Sequence, residues 1–260
     1  MICDAHGAQQ LDEVSDKING SPCREANRKL RAYISNTIAN LTPSMGGEKT
    51  YSKITGMSCY ALPLLNVFLN HPRDRVIVTT PNTMTQAGAH RKELSDDKYG
   101  KKPDMLLSFV NASTQLVREL GYGELKGCGR ENSDALNARD LVKVGLMLKD
   151  MVDIVDDKHD VTTLAHLGFQ FVGEKVTFYL MAKTGSIYVM KQVCSMELVD
   201  SIANLRSVAQ QYDNWRRLEQ AVKKGYEPAL LAIKTGIRGT RKNHFPTMST
   251  PELRHIKDKY

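Results

Sequence analysis

The chain has 260 residues, 41% of them hydrophobic and 25% charged, which is the ordinary balance of a globular protein and enough length for one large domain or two small ones. Collagen-like, mucin-like and wholly disordered readings are excluded, and apolar runs such as Val142 to Leu148 are interrupted well short of the roughly 20 residues a membrane crossing needs. Most of the net charge of +7 sits at one end, where Lys234, Arg238, Arg241, Lys242, Arg254, Lys257 and Lys259 face only Glu252 and Asp258. A basic tail on a near-neutral body suits contact with nucleic acid or an acidic protein.

Asp4, Asp12 and Glu13 precede any apolar run, so the start lacks the basic and apolar blocks of a signal peptide. Cys3, Cys23, Cys59, Cys128 and Cys194 are odd in number and scattered, with no CxxC pair, which reads as free thiols in a reducing compartment. The expectation is an intracellular protein, nuclear or cytoplasmic, with no membrane partner.

In chain order, Ser21-Pro22 begins a helix carrying Leu30, Ile34, Ile38 and Leu41 on one stripe, an N-terminal helical arm over residues 1–45. The stretch 42–55 is rich in Gly, Ser, Thr and Lys and reads as a loop before the main domain, residues 46–228. Cys59 to Leu69 reads as a helix and Arg75 to Thr80 as a first strand. Thr83 to Lys102 reads as a loop with one helical turn at Ala89 to Leu94. Met105 to Val110 and Thr114 to Lys126 form an antiparallel hairpin turning at Asn111-Ala112-Ser113.

Asn132 or Ser133 caps a helix to about Val152, with Leu141, Val144, Leu148 and Met151 on one face and Arg139, Lys143 and Asp150 elsewhere. Leu164 to Val172, Lys175 to Met181 and Ser186 to Val193 make a meander whose aromatic residues read as core. Leu198 to Lys224 reads as a long amphipathic helix that holds Trp215 and stops at Gly225. Residues 229–260 form the basic tail. The fold class is α/β, helices flanking one mixed sheet.

One constellation falls where chemistry would want it. Pro103-Asp104 heads one strand and Glu124-Leu125-Lys126 ends the next. Alternation puts Glu124 and Lys126 on one face, and the hairpin can bring Asp104 beside them. Two carboxylates, with a backbone carbonyl such as that of Leu125, are the oxygen ligands Mg²⁺ prefers. Lys126 could orient or deprotonate a water, or stabilise phosphate oxygens.

This pattern, with a helix directly after it, resembles the PD-(D/E)XK, or restriction-endonuclease-like, nuclease superfamily. The resemblance covers roughly Cys59 to Val172 and implies a core of a helix, three strands, a helix and a further strand. It also implies hydrolysis of phosphodiester bonds in DNA or RNA with Mg²⁺ or Mn²⁺, Asp104 and Glu124 binding metal and Lys126 assisting the nucleophile. The acid that many members place on the first helix is missing from Cys59 to Leu69, with Glu48 and Glu93 only distant candidates. The Gln or Lys that many carry on the helix after the Lys strand has Lys143 or Arg139 as candidates. Separately, PNTMTQAGAHRK (81–92), GYGELKG (121–127), DLVKVGLMLKD (140–150) and FPTMSTPELR (245–254) are similar to an uncharacterised expanded family of mucor-like fungal proteins.

Nucleic acid would be held by Arg139, Lys143, Arg238, Arg241 and Lys242. The alternative is a catalytically inactive nuclease-like module that binds nucleic acid or a protein, and a homodimer paired through the long helix near the C-terminus is also open. In the bland reading, Glu124 and Lys126 are a solvated pair on a strand end. Gly121-x-Gly123 reads as a bend that passes the chain close to the site. The single, scattered histidines lack metal-ligand spacing.

Overall fold

The β-branched and aromatic runs extend as expected and join edge to edge. A computed structural model describes residues 24–40, 57–69, 75–81, 83–94, 102–110, 117–126, 133–159, 165–198, 207 and 210–222. Strands β1 (Val76–Thr79), β2 (Met105–Val110), β3 (Val117–Lys126), β4 (His166–Val172), β5 (Lys175–Thr184) and β6 (Ile187–Glu197) make one six-stranded sheet in the order of the sequence. All neighbours are antiparallel except β3 and β4. That parallel pair needs a crossover, and helix α4 (Asp134–His159) supplies it.

The other described helices are α1 (Arg24–Asn40), α2 (Leu62–Phe68) entered through a π-helical turn at Met57–Ala61, α3 (Gln86–Leu94) and α5 (Tyr212–Ala221). They cover both faces of the sheet. On one face Met105, Leu107, Leu125, Phe169, Phe171 and Phe178 pack with Leu30 and Tyr33 of α1, Leu64, Leu65 and Phe68 of α2 and Trp215 and Leu218 of α5. Leu30 and Ile34 of the N-terminal stripe thus find their cover in the main core. On the other face Tyr122 and Met181 meet Ala87 of α3 and Val144, Met147, Leu148, Met151 and Val152 of α4. The result is a three-layer α/β/α arrangement.

Ser133 opens α4 as expected, its Oγ accepting the Leu136 N–H at 3.4 Å. The helix closes down on the sheet at Gly168, where a Cβ would stand 2.6 Å from Leu148. Gly121 and Gly123 lie inside β3 and make no bend; a Cβ on Gly123 would lie 1.9 Å from the Phe169 ring. They are small because β4 comes close.

Several elements differ from their sequence reading, α4 running on to His159 and β6 to Glu197, past the expected ends near Val152 and Val193. Helix α3 is nine residues, longer than the single turn expected. Its first amides have a buried acceptor, the Glu119 carboxylate taking N–H bonds from Gln86 (2.6 Å) and Ala87 (3.1 Å) and the Tyr122 hydroxyl. A register shift at Leu107/Ser108 puts Glu119 and Tyr122 on the same face. The expected helix from Leu198 does not start there. Cys194, Met196 and Leu198 are buried alternately, a period of two, and the Leu198 N–H donates to the Glu174 carbonyl at 2.7 Å. The helix α5 runs from Tyr212, with Ser207 and Gln210 already helical ahead of it and the Gln211 N–H donating to the Ser207 carbonyl at 3.0 Å; residues 199–206, 208, 209, 223 and 224 lie outside the described residues. So do the basic tail and the Asn111-Ala112-Ser113 turn. No described helix is long and apolar enough to cross a membrane.

Candidate active site

Antiparallel pairing of β2 with β3 sets the start of one strand beside the end of the other, which places Asp104 next to Glu124-Leu125-Lys126. The join is direct. Asp104 N–H donates to the Gly123 carbonyl at 3.1 Å, and Asp104 Oδ2 accepts the Leu125 N–H at 2.8 Å. The Asp104 carboxylate is therefore held at the backbone of Leu125, the residue that separates Glu124 from Lys126 along the strand.

Those two side chains share a face, as strand alternation requires, and both turn towards α4. Glu124 is buried, and the Lys143 ammonium stands 2.6 Å from its Oε1. Lys143 also donates to the Lys102 carbonyl at 2.7 Å. Lys126 Nζ lies 2.9 Å from Asp140 Oδ2. Asp140 and Lys143 are three apart on the helix and so are neighbours on its surface. Strand and helix are laced by two ion pairs of opposite sense, carboxylate to lysine and lysine to carboxylate.

Gln170 of β4 stands in register beside Glu124, nearly buried, and its Nε2 donates to the Asn137 carbonyl on α4 at 2.8 Å. The site thus draws on β2, β3, β4 and α4. Among the described residues no three or more His, Cys, Asp or Glu side chains converge, so an ion held here would rest on the two carboxylates and backbone oxygen.

Of the residues expected to touch nucleic acid, Arg139 is exposed on α4. Lys143 is half-buried and its ammonium points at Glu124. Arg238, Arg241 and Lys242 lie outside the described residues. Asp140 and Gln170 are members of the cluster that the sequence reading missed. Gln170 did leave a signal, as the one amide in the otherwise apolar run Leu167 to Val172.

No protein-family model, curated protein or solved structure matches this chain. The functional reading therefore stands on the residues themselves.

Proposed function

We propose that the chain is a divalent-metal-dependent nuclease of the restriction-endonuclease-like kind. The observation that carries this is the bond from Leu125 N–H to Asp104, which ties the first acid to the backbone of the Glu124-Leu125-Lys126 segment. Support comes also from the element order, a helix, three strands, a helix and a strand, with α3 inserted between β1 and β2.

The donor set fits a hard cation in type. Asp104 and Glu124 offer oxygen only, and the buried Glu124 already holds a positive partner at 2.6 Å, so its surroundings accept a cation. Asp104, Glu124 and the Leu125 carbonyl would hold Mg²⁺ or Mn²⁺. When bound, such an ion supplies Lewis-acid polarisation of a phosphate oxygen and acidifies water. Lys126, on the same face, orients the attacking water or stabilises the charge that grows on the phosphate oxygens. Arg139, exposed one turn from Lys143, contacts the sugar-phosphate backbone.

One observation favours a second reading, a binding module that does not cut. The pairs Glu124–Lys143 and Lys126–Asp140 neutralise the cluster internally, which would lock β3 to α4 without any metal. Cleavage of single- and double-stranded DNA and RNA in Mg²⁺, Mn²⁺ or EDTA separates the two. Cutting should require metal and be abolished in Asp104→Ala, Glu124→Ala and Lys126→Ala with the circular dichroism spectrum unchanged. Cutting that survives these changes sinks the site; salt-sensitive binding without cutting leaves the binding module.

A further inference from the structure

Lys143, half-buried on the surface of α4, places its ammonium 2.6 Å from Oε1 of the buried Glu124 and 2.7 Å from the Lys102 carbonyl. A buried carboxylate demands a positive partner, and Lys143 supplies it. A divalent ion held by Asp104 and Glu124 would meet the same demand from the same carboxylate. Two cations in contact with that one buried carboxylate repel each other.

We propose that Lys143 is a resident counter-cation that a divalent ion must displace from Glu124. The proposal rests on the reading of Asp104 and Glu124 as metal ligands and adds the regulation of that site. Released from Glu124, Lys143 remains on α4 four residues from exposed Arg139, so the two cations border one helix face. A polyanion drawing Lys143 to that face therefore favours metal entry, and metal entry favours polyanion binding in equal measure. With neither present the lysine closes the site, and each of the two eases the entry of the other.

The test uses Mn²⁺ alone as probe on the full chain, bound ion being counted by electron paramagnetic resonance while lysine reactivity is read by reductive methylation and mass spectrometry. Lys143 should become several-fold more reactive at saturating Mn²⁺ than in EDTA, with Lys149, paired to Asp153 at 2.9 Å, unchanged. Lys143→Gln should bind Mn²⁺ about tenfold more tightly and Lys143→Arg like the unaltered chain. Glu124→Gln should remove the binding. Mn²⁺ bound with Lys143 no more reactive, or bound equally or more weakly by Lys143→Gln, overturns the displacement and leaves the ligands standing. If the unaltered chain binds no Mn²⁺ at millimolar concentration, the ligand assignment falls and the displacement with it. The methylation arm needs no variant, so poor folding of Lys143→Gln does not remove the test.

Discussion

His166 opens β4 and is 1% exposed, and among the described residues neither ring nitrogen meets hydrogen-bond geometry, although the Leu120 backbone lies near enough to favour the charged form. Burial is the larger influence and lowers its pKa from 6.5 to about 4. Above pH 6.5 the ring is neutral in both folded and unfolded chains. As pH falls towards 4 only the unfolded chain takes up the proton, so stability is lost on acidification, by about 2 kcal/mol between pH 7 and pH 5. Urea melts at the two pH values should show that loss, and His166→Leu should reduce it; an equal loss in the variant would assign it elsewhere. Gly123 is constrained in another way. Gly123→Ala forces a methyl into the Phe169 ring and should cost about 1–3 kcal/mol, read as a lower denaturation midpoint. Cys194, its thiol pushed up to about 12 by burial, is inert at neutral pH.

At the scale of elements, α3 is tied to the sheet by a network. The Glu119 carboxylate holds the first amides of α3 and the Tyr122 hydroxyl, whose own proton is kept on by burial and by the adjacent carboxylate. Arg91 reaches Asp150 of α4 at 3.2 Å. Glu119→Ala strands those amides in a buried place and should destabilise the protein by about 1–3 kcal/mol. Hydrogen exchange at Gln86 to Leu94 should quicken more than exchange in β4 or β5. Uniform quickening would mean that α3 has no local stability of its own. The ion pairs from β3 to α4 act alike on the other end of the same helix.

Across the whole molecule, the layer of α1, α2 and α5 is gathered on Trp215. Its ring is 1% exposed, stacks on Phe68 with centroids 4.5 Å apart and tilts against Tyr33 at 5.3 Å. Trp215→Ala leaves a cavity at the meeting point of three helices and should cost about 3–5 kcal/mol. Because the chain has a single tryptophan, its fluorescence reports that layer. Fluorescence and far-ultraviolet dichroism should give one coincident unfolding transition; an earlier fluorescence change would show the helical layer parting from the sheet first.

The sequence by itself determined the local elements that one periodicity dominates. β2, β3, the meander of β4 to β6 and the start of α4 at Ser133 were all legible, because strand alternation, turn residues and a cap act between near neighbours. It also marked Asp104, Glu124 and Lys126, and their adjacency followed from a hairpin. Lys143 was legible as a cation on the helix after the Lys strand, but its pairing with Glu124 was not, since helical spacing says which face a residue occupies and nothing about a buried carboxylate on another element. The extent of α3 depended on Glu119, far away in the chain. Only the tertiary structure decided that β3 and β4 run parallel, that Gly121 and Gly123 yield space to β4, and that Asp140 pairs with Lys126, Lys143 with Glu124, and Gln170 lies in register beside Glu124. Each of these is set by desolvation and close packing between distant segments, and those forces act through space once the sheet and α4 have met.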